Sequence, residues 1–181
     1  MKELSLNILD IAENSVKAGA TLTEIGIVEE GDRLTLTVKD DGCGMTEETV
    51  RSVTDPFYTT RTTRKVGMGV PLLKLEAEMT GGSLTIDSRH VSEHPADHGT
   101  LVTATFVTSH IDCLPLGDVI STLTTLIQGH PDTDFVFFHR MGEKEVTLDT
   151  RELRGVLEEV PLNSYEVLQW IEGYLREQYD S

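Results

Sequence analysis

Bases and cysteines are scarce in this chain. Lys and Arg together number 15 against 31 Asp and Glu, which leaves a formal net charge of −16. A surface of that sign repels nucleic acid and anionic membrane at long range, so neither is expected as a partner. The two cysteines, Cys43 and Cys113, stand alone with no C-x-x-C pair. That excludes a disulfide framework and a cysteine zinc site. No apolar run is long enough to span a bilayer. The opening "MKELSLNILD" turns acidic within three residues and lacks the plan of a secretory signal, so a cytoplasmic protein is the expectation. Aromatic residues make up only 6%, yet 38% of the 181 residues are hydrophobic, enough for the core of an ordinary globular chain.

Periodicity divides the chain into elements. Residues 3–18 read as a helix whose small or apolar stripe is Leu4, Ile8, Ile11, Ala12 and Ser15. "TEIGIVEE" and "RLTLTVKDDG" read as an antiparallel hairpin turned at "EEGDR", the second strand alternating through Leu34, Leu36 and Val38. "DDGCGM" is a glycine loop, and Thr46 opens a short helix in "TEETVRSV". "TDPFYTTRTTRKVGMG" has no period and reads as a loop. "VPLLKLEAEMT" is a helix with Pro71 in its first turn, stopped by Gly81-Gly82. "SLTIDSRH" and "GTLVTATFVT" are strands joined by the polar "VSEHPADH". Near residue 110 the acidic excess becomes denser. A helix over Leu116–Gln128, a hairpin of "DFVFFHR" and "EKEVTLDT", and helices over Arg151–Glu159 and Ser164–Gln178 follow, the last two separated by Pro161. The expected organisation is a domain at 1–110 and an acidic α/β accessory segment at 111–181.

Five features in fixed order carry the chemistry. Asp10, Asn14 and Lys17 share one face of the opening helix. "DDGCG" ends a strand, so Asp40 exposes a carboxylate while Gly42 and Gly44 let backbone approach a flat ligand. Such a carboxylate can accept the exocyclic amine of adenine. "DPFYTTR" leads into Arg61, Arg64 and Lys65, the densest basic cluster of the chain. Gly67 and Gly69 of "GMGVPLLK" free N–H groups at the positive end of a helix, an anion site. Gly99-Thr100 opens the last strand of the set. Asn14 offers an amide oxygen to a hard cation such as Mg²⁺, and Asp10 could orient a water as a general base. Each piece alone is commonly a turn, a solvated loop or a surface pair. The ordered set is far more specific than any member.

That order resembles the Bergerat fold of the GHKL ATPase superfamily, which includes gyrase, heat-shock chaperone ATPases, sensor histidine kinases, anti-sigma-factor kinases and mismatch-repair ATPases. "LDIAENSVKAGAT" resembles the N box, "VKDDGCGM" the G1 box, "DPFYTTR" the F box of histidine kinases and "GMGVPLLK" the G2 box. The resemblance covers roughly residues 3–108. It implies an α/β sandwich of two layers, a mixed sheet with helices on one face, and ATP held between the helices and a lid. It further implies that Asn14 ligates Mg²⁺ and that Asp40 binds the adenine amine, supported through water by Thr100. Gly42, Gly44 and Met45 would border the base. Lys17, Arg61, Arg64 and Lys65 would face phosphates, and Gly67, Met68 and Gly69 would form the phosphate turn.

The chain departs from the family pattern in three places. Asp10 stands where hydrolysing members carry Glu, one methylene longer. Pro71 replaces a third glycine and has no N–H for phosphate. The lid is short. None of the six histidines lies in a phosphoacceptor-like context, and with the N box this near the first residue no dimerisation helix is expected before it. His90, His94 and His98 are spaced by four, but in a loop containing Pro95, which weighs against a metal site. His139 ends an apolar strand and reads as structural. Three readings stay open: a stand-alone kinase-like domain acting on an unidentified protein partner, a slow ATPase or ATP-gated switch, and an ATP-binding module without chemistry.

Overall fold

A computed structural model describes residues 3–54 and 69–181. Helix α1 (Leu4–Lys17) is followed by strands β1 (Leu22–Glu30) and β2 (Arg33–Asp40), helices α2 (Glu47–Thr54) and α3 (Gly69–Met79), and strands β3 (Ser83–Arg89) and β4 (Gly99–Val107). Then come α4 (Val119–Gly129), β5 (Asp134–Met141), β6 (Lys144–Asp149), α5 (Thr150–Leu157) and α6 (Tyr165–Asp180). The expected elements are present, with ends shifted by a few residues. Helix α4 starts after Leu116 because Asp118 caps it, its carboxylate accepting the Ser121 N–H at 3.0 Å. Helix α2 begins as the sequence signals, with Thr46 Oγ1 accepting the Thr49 N–H at 3.3 Å.

All six strands form one sheet in the order β3-β4-β2-β1-β5-β6. Every neighbouring pair is antiparallel except β1 and β5, which run parallel. The register explains where the core lies. Ile25, Val38, Val102, Ile86, Phe137 and Leu148 are partnered across successive strands, and so share one face. With Ile27, Leu36, Ala104 and Phe135 they make an apolar surface under the helices. The opposite face carries residues such as Thr35, Thr37, Thr103 and Thr85, which are not buried. Helix α1 buries Leu4, Ile8, Ile11, Ala12 and Ser15, the stripe read from its period. Among the described residues no helix is long and apolar enough to cross a membrane.

The segment from residue 111 continues this architecture. Strand β5 adds to the free side of β1, and α4 packs on α1 through a core that includes Leu123, Leu126 and Ile127. Thr122 Oγ1 donates to the Ser5 carbonyl at 3.0 Å, and His130 Nε2 donates to Glu13 at 2.9 Å. His139, buried on β5, joins three elements. Its Nε2–H donates to Glu29 Oε2 at 2.5 Å, because a carboxylate only accepts, and Nδ1 lies 2.7 Å from the Tyr179 hydroxyl of α6. Burial and the Glu29 charge push the Tyr179 phenol well above its ordinary range. With β5 paired to β1 and α4 packed on α1, Ile171→Ala, a fully buried site on α6, is expected to cost about 2–5 kcal/mol. A urea titration followed by circular dichroism should show one transition at a lower midpoint. Two separate transitions would mean the C-terminal segment folds by itself.

Candidate functional site

The carboxylate of Asp40 stands at the end of β2, on the helix-covered face. Ser15 of α1 donates its hydroxyl to Asp40 Oδ2 at 2.6 Å, and the Gly42 N–H donates to Oδ1 at 2.9 Å. A carboxylate has about four lone-pair positions, so two hydrogen bonds hold it and leave acceptor capacity for a donor from outside. Thr100 is the direct cross-strand partner of Asp40. Its hydroxyl lies 2.7 Å from Ser88 Oγ, which also accepts the Met45 N–H at 2.7 Å.

The loop after β2 is laced to the rest at several points. The Cys43 N–H donates to the Ala18 carbonyl at 2.9 Å, and the Val91 N–H to the Cys43 carbonyl at 2.8 Å. His98 Nδ1 donates to the Gly42 carbonyl at 2.5 Å. Two glycines are obligatory for this path. Gly44 has φ +74°, and a Cβ there would lie 2.0 Å from the Arg89 carbonyl oxygen. A Cβ on Gly42 would come within 2.9 Å of Ala18. The protein's own backbone therefore needs these glycines, before any ligand is considered. The two acids of "DDG" divide their work. Asp41 turns outward and accepts from Thr21 N–H at 2.7 Å, Thr21 Oγ1 at 2.5 Å and Leu22 N–H at 3.0 Å, pinning the loop to the start of β1.

Asn14, Lys17, Asp40, Gly44, Met45 and Thr100 come together around one cleft of about 230 Å³, whose apolar wall includes Ile11, Val53, Val70 and Val102. A largely apolar cleft that also presents a carboxylate, an amide and an ammonium suits a ligand with an aromatic ring and an anionic tail. Asp10 does not line this cleft. It lies against the first residue of α3, where a Cβ on Gly69 would be 3.1 Å from Asp10 Cβ and 3.6 Å from Oδ2. Gly42 shapes the loop behind the cleft rather than its wall. Arg61, Arg64, Lys65, Gly67, Met68 and the "DPFYTTR" motif lie outside the described residues.

Sequence reasoning missed Ser15, Ser88, His98 and Asp41. Ser15 falls in a helix stripe where a small residue reads as packing, and only the folded chain brings it to an acid 25 positions away. His98 belongs to the triplet considered for metal. Among the described residues no group of three or more His, Cys, Asp or Glu is placed to hold a metal ion. His90 Nδ1 instead lies 2.8 Å from Ser92 Oγ.

An open mixed sheet with helices on one face, and a cleft between α1 and the ends of β2 and β4, defines an α/β sandwich with a ligand slot at its strand ends. The family model described as histidine kinase-, DNA gyrase B- and HSP90-like ATPase matches residues 2–110. That is more than half of the chain, which therefore belongs to this GHKL family, and ATP binding comes with the family. The fold is also that of the Aquifex aeolicus MutL ATPase domain complexed with ADP, at 16% identity and a TM-score of 0.58, covering 87% of this chain and 70% of that one. The N-terminal domain of a DNA repair protein matches with a TM-score of 0.54 at 17% identity, over 82% of this chain and 53% of that one. Coverage of 87% cannot be reached within residues 1–110, so the shared fold extends into the C-terminal segment. Sporulation kinase C of Bacillus subtilis (strain 168) is 27% identical over 88 residues, 49% of this chain and 20% of that protein. The match thus spans about a fifth of the kinase's length.

Asp41 supplies a test of the loop. Burial raises its pKa, but the hydrogen bonds from Thr21 and Leu22 outweigh this and hold the carboxyl below its ordinary value. A depressed folded-state pKa gives stability that is present above the unfolded value and lost as pH falls through the folded one. Asp41→Asn should therefore cost about 1 kcal/mol at neutral pH, a modest figure because the group is solvent-screened. In urea titrations at a series of pH values, the gap to the parent protein should close below about pH 4. A gap that persists unchanged in acid would rule out the ionised carboxylate as its source.

Proposed function

We propose that this chain binds ATP with Mg²⁺ and passes the γ-phosphoryl group to a separate protein partner, leaving ADP. The observation that carries the reading is the cleft that gathers Asn14, Lys17, Asp40, Gly44, Met45 and Thr100 in a member of an ATPase family. Asp40, oriented by Ser15 and the Gly42 N–H, would accept the adenine amine, with Thr100 beside it. The slot between the loop and Val53, Val70 and Val102 would exclude water from the base. Asn14 would hold Mg²⁺ by its amide oxygen, a donor of the hard type this ion takes, and the ion would neutralise phosphate charge. Lys17 would add a positive charge where the rest of the chain supplies mostly negative ones. Gly69 would form the phosphate turn. Arg61, Arg64, Lys65, Gly67 and Met68 are proposed for the lid and the rest of that turn from the sequence alone. Residues 111–181 are proposed as the accessory region that meets the partner.

The standing of Asp10 favours transfer to a partner over hydrolysis. A general base must reach the proton it removes. Asp10 has the shorter acid side chain and, among the described residues, packs on α3 instead of lining the cleft. The second reading, a slow ATPase or ATP-gated switch, is favoured by one fact: a carboxylate is retained at that position at all. From its place on α1 against Gly69 of α3, Asp10 would also complement that helix's dipole without any chemistry.

Two measurements separate these readings. Titration calorimetry with ATP and Mg²⁺ should give binding that Asp40→Asn weakens by at least about tenfold, the effect of one charge-assisted hydrogen bond. Equal affinity would sink the adenine assignment. Steady-state phosphate release without a partner should be slow and should change less than about threefold in Asp10→Ala, whereas loss of a true general base costs 10²-fold or more, roughly. A drop of that larger size would make the chain a hydrolase with Asp10 as its base.

A further inference from the structure

Helix α6 presents to solvent a surface that the fold does not use. Its inner side buries Val167, Ile171 and Leu175. On its outer side Trp170 and Tyr174 are stacked, with ring centroids 4.9 Å apart and planes at 11°. Both stay open, at 52% and 37% exposure. Large rings left bare at this level mark contact surfaces more often than packing. The carboxylates of Glu166 and Glu177, both exposed, lie four residues before Trp170 and three after Tyr174, on the same stripe of the helix. Gly173 lies beside the pair. A helix-interior glycine lowers stability relative to alanine, yet a Cβ here would meet nothing within 4 Å. The fold gains nothing from this glycine, whereas an approaching chain gains a gap next to the rings. Tyr174 also borders a groove of about 350 Å³ on the outer face of β5 and β6, with Val136, Phe138, Glu145 and Glu152 on its walls. In that groove Arg140 already lies over the Phe138 ring, 5.9 Å from its centroid.

We propose that Trp170, Tyr174 and this groove dock a basic segment of a partner protein, one that sets a Lys or Arg on the stacked rings between Glu166 and Glu177 and an aliphatic residue into the groove. Cation–π attraction and flanking carboxylates act together on such a charge. Nucleic acid could stack on the rings, but its phosphates would meet the acids. A second copy of this chain would bring its own acidic surface against them. The proposal concerns a site remote in sequence from the nucleotide motifs and does not rest on the chemistry proposed for them.

Trp170 is the chain's one tryptophan, so its emission reports on the platform without any label. The whole chain would be titrated with a short peptide of alternating arginine and leucine, with the matching glutamate–leucine peptide and with a single-stranded DNA oligonucleotide. The expected result is a saturable change with the arginine peptide alone. It should weaken by at least about tenfold in Glu166→Lys/Glu177→Lys and in Gly173→Leu, while the latter melts at or above the parent's temperature. The equally charged Glu48→Lys/Glu93→Lys, on α2 and in the β3–β4 loop, should leave affinity within about twofold, and so should Asp40→Asn. Equal weakening by both lysine pairs would reduce the effect to the general field of an acidic protein and overturn the proposal. A response to the oligonucleotide would overturn it in favour of base stacking. Emission that shifts with protein concentration alone, with a doubled mass in sedimentation, would overturn it in favour of self-association.

Discussion

The joint between Ser15 and Asp40 is the contact on which the site's geometry depends. Asp40 ends a strand and Ser15 sits near the end of a helix, and their 2.6 Å hydrogen bond sets the rotation of α1 against the sheet. Asn14 precedes Ser15 by one residue and Lys17 follows it by two, so the same rotation turns both towards the cleft. The Gly42 N–H completes the hold on Asp40 from the loop side. Replacing the serine with a larger apolar residue would keep the helix amphipathic and still lose the joint, because what the position needs is a short donor. The small residue in the stripe is thus a hydrogen-bonding requirement as well as a packing one.

From this joint the loop over residues 41–45 ties three secondary elements together. Cys43 bonds to the end of α1, Met45 to β3 through Ser88, and Asp41 to the start of β1. Backbone donors and acceptors at a strand end must find partners, and here they are met by the end of α1, by the Asp40, Ser88 and His98 side chains and by the backbone of Val91. The glycines follow from the closeness of that lacing. At Gly44 the Arg89 carbonyl occupies the place of a side chain, so the motif's glycine records a contact between protein segments. A loop stapled in this way is preorganised, and a ligand that meets it loses less ordering entropy on binding.

Much of this was legible in the sequence, for identifiable reasons. Alternation placed β2 and its buried residues Leu34, Leu36 and Val38, and helical period placed the stripe of α1, because both patterns follow from burial on one face. Asp40, Gly42 and Gly44 were legible because a strand-terminal acid with spaced glycines is a local requirement. The partners of those residues were not, since Ser15, Ser88 and His98 are ordinary residues until the fold sets them beside the loop. The C-terminal elements could be read one by one, yet their place in the sheet could not. The parallel pairing of β1 with β5 joins Leu22 to Asp134, and nothing local to either strand encodes a partner that far along the chain. The structural role read for His139 has a physical content that sequence lacked: Glu29 and Tyr179 supply its hydrogen bonds from β1 and α6.

Charge sets the remaining constraint. A chain with a net charge of −16 that holds a polyanion needs its few bases near the bound charge, and Lys17 lines the described cleft. Asp10 sharpens the problem. The Asp10 carboxylate lies against Gly69 of α3, and a negative charge there would oppose a phosphate held nearby. That opposition grows with closeness, and Gly69 brings Asp10 nearer than a side chain there would allow without a shift of a few tenths of an ångström. An acid one methylene shorter than glutamate keeps its carboxylate close to its own helix and, here, beside Gly69. The shorter side chain and the close approach at Gly69 act in the same direction, and both hold the Asp10 carboxylate against α3.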